Sequence, residues 1–274
     1  MKNPFSVERF FNLFMEELEL NTQLNSYYKF HENKNRFLFR KAYFCQRLEF
    51  IISNIEKSDT EILDLGCGYG TTAIFLALNG LKVKGLTLEF YDEAIPKRIE
   101  YWKDFGDTSL FEWSYQNIYD EPPEEKKYQN IISQDTLHHL EPCNEALKII
   151  RNSLSENGKL ITVEENGDNL ILRALLYKQR GGNRVIKIYD ERLKKEILLG
   201  NENIRGLKKW TKLFEDSGLK IDKESIKYIR FYFPNSFKKG NYEDIIRKEN
   251  TIGSGLLHKY FFYSLNFIAE RADI

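Results

Sequence analysis

Apolar residues in the first 57 positions recur at the spacing of one helix face. Val7, Phe10, Phe11, Phe14 and Leu18 make one such set, and Phe44, Leu48, Ile51, Ile52 and Ile55 make another, which predicts two amphipathic helices. Between them residues 21–35 are rich in Asn, Tyr and charge and read as loop or broken helix. At Thr60 the pattern changes. Short apolar runs at 61–65, 81–87, 110–115, 129–133 and 158–164 alternate with helical stretches. The first helix covers 71–79, with Thr71 or Thr72 as N-cap and Gly80 as its stop. The second has Pro96 in its first turn and runs through Arg98 and Trp102, and the third opens at Pro142 and carries Ala146, Leu147, Ile150 and Leu154. Strands alternating with helices predict βαβ units and a mostly parallel sheet.

After Glu165 the alternation breaks. Residues 166–204 read as two helices around Gly181-Gly182, 207–217 as a helix closed by Gly218, and 219–233 as strand-like. A polar stretch at 234–255 precedes a final strand at 260–268. The expected organisation is a helical N-terminal cap (1–57), a core (58–165), a helical insertion or lid (166–206) and a C-terminal part of the core (207–274).

Composition narrows the function classes. The 274 residues carry 41 Lys plus Arg and 41 Asp plus Glu, a formal net charge of zero. A protein whose main task is neutralising nucleic-acid phosphate would show a basic excess, so no nucleic-acid partner is expected. Hydrophobic residues at 42% suffice for a packed core and exclude intrinsic disorder. Cys45, Cys67 and Cys143 are far apart with no CxxC pair, and His31, His138, His139 and His258 show no HExxH spacing. Sparse cysteines suit a reducing compartment. With no apolar run long enough to span a bilayer, a cytoplasmic protein is expected, and a homodimer is compatible with it.

The most informative segment is Glu61-Ile-Leu-Asp-Leu-Gly-Cys-Gly-Tyr-Gly70. A hydrophobic strand runs into glycines at alternate positions and then directly into a helix. Gly66 and Gly68 let backbone pass close to a ligand, and the helix N-terminus offers unpaired N–H groups. A dinucleotide fingerprint would read GxGxxG with an acidic residue about 20 positions on. Here the spacing is GxGxG, with Asp64 two residues before the first glycine. This form resembles motif I of the class I S-adenosylmethionine-dependent methyltransferases, over roughly residues 58–165 with a weaker echo from 207 onward. The resemblance implies a Rossmann-like α/β fold with a seven-stranded, mostly parallel sheet, its last strand antiparallel. It also implies S-adenosylmethionine as cofactor, with Asp64, Gly66, Cys67 and Gly68 beside it.

Further segments match in order. Val83-Lys-Gly-Leu-Thr-Leu-Glu89 resembles the end of the family's second strand. Thr87 stands where an acidic residue usually grips the ribose, as in cyclopropane-fatty-acid-synthase-like members, which add a polar side chain five residues later. The match there is Asp92, and Glu89 is an alternative carboxylate. Gln116 and Asn117 fall near the position of the adenine amino group, although Asn117 reads equally as a turn or capping residue. Ile131-Ile-Ser-Gln-Asp-Thr-Leu-His-His-Leu140 resembles the fourth-strand motif, whose end, at Gln134, lines the cavity beside the cofactor's methionine part.

On the acceptor side, His138 stands where plant-type small-molecule O-methyltransferases place a base, with His139 a weaker candidate and a packed histidine the alternative for both. Pro142-Cys143 reads as a helix start rather than a Pro-Cys nucleophile, and Ser133-Gln-Asp-Thr136 lacks the Asn/Asp-Pro-Pro-Tyr wording of nucleobase N-methylating enzymes. Arg173, Lys178, Arg180, Arg184, Lys187, Arg192, Lys194 and Lys195 outnumber Asp190, Glu191 and Glu196 in the insertion. That balance reads either as a basic lid for an acidic substrate or as a solvated face. Phe10 and Phe14 are expected to pack the N-terminal helices, while Tyr27 and Tyr28 are open between packing and lining a pocket. The expected activity is methyl transfer to a small-molecule acceptor, by preference to a hydroxyl. Carbon or nitrogen methylation, or cofactor binding without catalysis, are the alternatives.

Overall fold

A computed structural model describes residues 5–32, 36–56, 59–88, 90–238, 242–253 and 255–272. Ser6 starts α1 (Val7–Leu20) by accepting the Arg9 amide at 3.1 Å. Asn21 likewise starts α2 (Thr22–Tyr28) by accepting the Leu24 amide, so the segment read as loop or broken helix contains a short capped helix. α3 (Phe37–Asn54) folds back on α1, where Phe14 and Phe44 stack at 5.2 Å. Phe10 reaches Phe75 and Trp102 of the core at 5.1 and 4.7 Å. Phe10 and Phe14 are therefore packing residues, as expected.

Glu17 also faces inward from α1. Its carboxylate accepts Arg98 Nε and Nη2 at 2.7 Å each and Trp102 Nε1 at 2.8 Å. Both charged groups are buried.

β1 (Ile62–Leu65) is buried along its length, as a strand covered on both faces must be. There follow α4 (Thr71–Leu78), β2 (Val83–Thr87), α5 (Ile95–Trp102), β3 (Phe111–Tyr115), β4 (Tyr128–Gln134), α6 (Cys143–Ser153) and β5 (Leu154–Glu165). The predicted alternation is present, with two changes: Leu154, expected in the third helix, begins β5, and α4 starts differently. Its N-cap is Gly70 rather than Thr71 or Thr72, because tertiary partners occupy the threonines. The Thr71 hydroxyl accepts from Arg98 Nη1 and Tyr28 OH, and the Thr72 hydroxyl donates to Gln134.

The insertion corrects the two-helix expectation. One helix is present, α7 (Leu170–Arg180), but β6 (Val185–Asp190) and β7 (Lys195–Gly200) then form an antiparallel hairpin. Alternate β6 residues point outward, a period of two that cannot be helical. After α8 (Leu207–Asp216), the strand-like stretch splits into β8 (Leu219–Ile221) and β9 (Lys227–Ile229) around a short 3-10 turn. The polar stretch contains α9 (Tyr242–Thr251), and α10 (Leu256–Phe261) precedes β10 (Ser264–Arg271).

The sheet order is β3-β2-β1-β4-β5-β10-β8, with β9 also pairing β10. Seven positions thus hold eight strands, because the edge position beside β10 is interrupted. β1 to β5 run parallel, and β10 is antiparallel to β5, β8 and β9. Strand order reverses between β1 and β4, so the crevice beyond their C-terminal ends is the topological switch point where open α/β sheets bind ligands. Among the described residues no helix is long and apolar enough to cross a membrane.

Candidate active site

The turn from β1 to α4 is held against β2, with the Gly66 and Cys67 amides both donating to Leu86 O at 2.8 and 3.0 Å. Gly66 and Gly68 have φ of +72° and +52°, the left-handed region that side chains resist. The two glycines are needed for different reasons. A Cβ on Gly66 would lie 2.1 Å from the Thr136 hydroxyl, whereas one on Gly68 would meet nothing closer than Gly66 O at 4.0 Å. Gly66 serves close packing, and Gly68 leaves open a wall of the cavity it lines.

That cavity, of about 440 Å³, lies at the switch point. Asp64, Gly66, Cys67, Gly68, Thr87, Gln116, Asn117, Gln134 and His138 all line it. Of the other expected residues, Glu89 lies outside the described residues. Asp92 is not on the cavity wall, and its buried carboxylate accepts Arg192 Nη1 at 2.8 Å. A hairpin arginine thus engages the carboxylate that the resemblance places beside the ribose. Thr87 stands at the end of β2, buried in the wall. Asn117 Oδ1 accepts the Tyr119 amide at 3.1 Å, and Gln116 Nε2 donates to Glu121 O at 2.6 Å. Asn117 thus caps a turn while also facing the cavity. Tyr27 and Tyr28 line the cavity too, and Tyr28 also packs edge-on against Phe14 at 4.8 Å, so it serves both readings.

Asp64 Oδ2 is buried with no hydrogen-bond partner among the described residues. Burial pushes this carboxyl up to about 7 from 3.8. A buried acceptor without a donor, beside a glycine that keeps the wall open, fits a ligand that brings its own donor. This carboxyl loads the ligand-free protein. Between about pH 4 and pH 7 the unfolded chain releases a proton the folded chain keeps, so stability falls as pH rises through that window. Asp64→Asn is expected to flatten that slope in urea unfolding at pH 5 and 7.5 and to stabilise the ligand-free protein at pH 7.5 by a few kcal/mol (roughly 2–4). The same change weakens cofactor binding. An unchanged slope would show that Asp64 is not the cause.

The other half of the cavity is built from the ends of β4 and β5. His138 Nδ1 lies 2.5 Å from Glu164 Oε2, while Glu164 Oε1 accepts the Thr136 and Leu137 amides at 3.1 and 2.8 Å. Burial opposes a charge on His138, but the Glu164 carboxylate outweighs it and raises the imidazole to about 9. Burial and the neighbouring His138 lower His139, whose Nδ1 lies 2.8 Å from Gly200 O. Glu165 accepts Tyr263 OH at 2.6 Å, and burial pushes it up to about 7. Asp135 pairs with Arg47. Cys143 is buried in α6 and burial raises its thiol to about 12, so it is an inert packing residue.

The β6–β7 hairpin roofs the cavity. At its base Gly200 N donates to His139 O at 2.9 Å, and at its tip Asp190 accepts Tyr115 OH at 2.6 Å while Lys195 pairs with Asp120. Ile188, Ile197, Leu198 and Leu199 line the space beneath. The insertion's cations largely pair with acids or face solvent, as Arg192, Lys195, Lys187 and Lys194 do. The roof residues lining this cavity are apolar and no Lys or Arg of the insertion is among its described lining, while Arg173, Arg180 and Arg184 border a separate pocket at α7. Sequence reasoning missed Glu164, Glu165, Glu202 and the hairpin. Glu164 and Glu165, directly after the Leu160–Val163 run, were a local signal for the first two.

Residues 35–224 match the methyltransferase domain family. No curated protein matches the chain. Among solved structures it is similar to a geranyl diphosphate C-methyltransferase from Streptomyces coelicolor A3(2), solved with Mg2+, geranyl diphosphate and S-adenosyl-L-homocysteine. That match has 13% identity and a TM-score of 0.57, covering 88% of this chain and 84% of that one. A SAM-dependent methyltransferase from Methanosarcina mazei matches at 18% identity and a TM-score of 0.52, covering 81% and 97%. The YcgJ protein from Bacillus subtilis matches at 11% and 0.56, covering 84% and 99%. The chain belongs to the methyltransferase domain family and has the Rossmann-like fold of its class I members. By that family it is a methyltransferase.

Proposed function

We propose that the protein methylates an oxygen atom of a small molecule in the cytoplasm, most directly a hydroxyl. The observation that carries this reading is one roofed cavity in which the glycine turn and His138, backed by the buried Glu164, share the same space. Because the cofactor takes up much of about 440 Å³, the room left suits a small acceptor rather than a macromolecular one.

Asp64, Gly66, Cys67, Gly68, Thr87, Gln116, Asn117 and Gln134 are assigned to the cofactor, held at the ends of β1 to β4. S-adenosylmethionine, when bound, would supply a methyl carbon on a sulfonium, with the thioether sulfur keeping the C–S electrons as the acceptor takes the methyl group. The chain holds the acceptor in line and excludes water, and positioning alone accounts for much of the rate in such a transfer. His138 lies toward the acceptor, with Glu164 fixing its ring through Nδ1, and its neutral form, which gains population as pH rises toward about 9, takes the hydroxyl proton. The N-terminal helices act as a cap and the 166–206 segment as a lid.

Methyl-labelled S-adenosylmethionine incubated with hydroxyl, carbon-acid and amine acceptors tests this reading. Label is expected in methyl ethers or esters, with S-adenosylhomocysteine released in equal amount. Transfer confined to carbon or nitrogen would overturn the oxygen assignment.

A further inference from the structure

His138 and His139 are adjacent in the chain, and their rings lie 4.1 Å apart between centroids. Glu202, just beyond the hairpin, joins them. A ring nitrogen of each histidine and a carboxylate oxygen of Glu202 lie within 4.8 Å of one another, and His138 Nε2 is 3.6 Å from Glu202 Oε2. Neighbouring ligands on a tetrahedral ion with bonds near 2.0 Å are about 3.3 Å apart, so small side-chain movements close the set.

Two further features resemble a prepared ligand set. Each histidine has Nδ1 against a fixed acceptor, the Glu164 carboxylate for His138 and the Gly200 carbonyl for His139. In the neutral ring that contact selects the tautomer with its lone pair on Nε2, the arrangement that orients metal-binding imidazoles. The approach of Glu202 is also built in. Gly200 is stitched to His139 by its amide, and a Cβ at Gly200 would lie 1.9 Å from His138 O, so this position demands glycine. Glu202 itself holds φ of +50°, an unfavourable backbone for a side-chain residue. All three residues line the acceptor half of the cavity, beside Asp135 and Glu165, where the surroundings are acidic.

We propose that His138, His139 and Glu202 bind one divalent transition-metal ion at the acceptor end of the cavity, leaving a coordination position open for an acceptor oxygen. Imidazole nitrogens with one carboxylate favour ions such as Zn2+, Fe2+ or Co2+ over Mg2+ and Ca2+, which prefer all-oxygen sets. A hydroxyl bound at the open position loses its proton to solvent more readily, and His138 then assists as a ligand. The role of the ion rests on the methyl-transfer reading; its binding does not.

The test uses tag-free protein stripped with a chelator and titrated calorimetrically with Zn2+ or Co2+ alone. Wild type is expected to bind one equivalent, with visible Co2+ absorption bands. His139→Ala and Glu202→Gln are expected to weaken binding by at least about tenfold, with unchanged circular dichroism and melting showing that they fold. No binding by wild type, or equal binding by Glu202→Gln, overturns the proposal and leaves His138 paired with Glu202 as an ion pair. S-adenosylhomocysteine titrated into the same metal-free wild type separates the two readings. Its binding without metal binding defeats only the metal site, and metal binding without it defeats only the methyltransferase reading.

Discussion

Glu17→Ala is expected to lower the unfolding free energy by about 3–5 kcal/mol, the cost of leaving a buried charge without its partner. Glu17 is 3% exposed and Arg98 1% exposed. The Glu17 carboxylate accepts two guanidinium hydrogen bonds and the Trp102 indole N–H. Alanine would strand the Arg98 charge in an apolar layer formed by Phe10, Phe14 and Trp102. Against a total stability of roughly 5–15 kcal/mol for such a domain, that is a large fraction. The effect should reach the cofactor site as well, because Arg98 Nη1 also donates to Tyr69 O and the Thr71 hydroxyl at the glycine turn. Urea unfolding with fixed slope measures the loss, and Glu17→Gln should lose less because it retains acceptor and shape. A Glu17→Ala protein within about 1 kcal/mol of wild type would contradict an N-terminal helix built into the core.

Gly68→Arg is expected to reduce S-adenosylhomocysteine affinity by at least about 100-fold, or some 2.7 kcal/mol. The reason is space rather than fold. A Cβ at this position meets no neighbour within contact distance, and the rest of an arginine side chain would run into the cavity. A side chain at φ of +52° adds backbone strain of about 1–2 kcal/mol. Bound ligand at 100 times its Kd stabilises wild type by about 2.7 kcal/mol, a melting shift of a few degrees. The variant should melt up to a few degrees below ligand-free wild type because of that strain, and show no ligand-induced shift. A full ligand-induced shift in Gly68→Arg would place the cofactor elsewhere.

What was legible in the sequence was local. The run from Asp64 to Gly70 announces a strand, a left-handed turn and a helix within ten residues, and each of those features is a short-range constraint. The alternation of β1 to β5 with helices followed from apolar periodicity in the same way. The hairpin was missed although its signal was present: Val185, Lys187 and Tyr189 alternate with Ile186, Ile188 and Asp190, a period of two obscured by dense charge and the Gly181-Gly182 break. Its consequences were beyond local reading. Arg192 takes Asp92 across 100 positions, and Gly200 meets His139 across 61. The same holds for Glu17 and Arg98, 81 positions apart. A single sequence carries no sign of which carboxylate such an arginine will find. His138 could be placed at the cavity from its strand-end position, while Glu202 could be placed only by the folded hairpin.

The most direct test of the central claim is calorimetric titration of S-adenosylhomocysteine into the folded wild-type protein. One equivalent binding with micromolar or tighter affinity, lost in Gly68→Arg, is the predicted result, and together the two assign the cofactor to the cavity formed at the ends of β1, β2 and β4. No heat of binding, in protein shown by circular dichroism to be folded, would contradict the assignment of that cavity to S-adenosylmethionine.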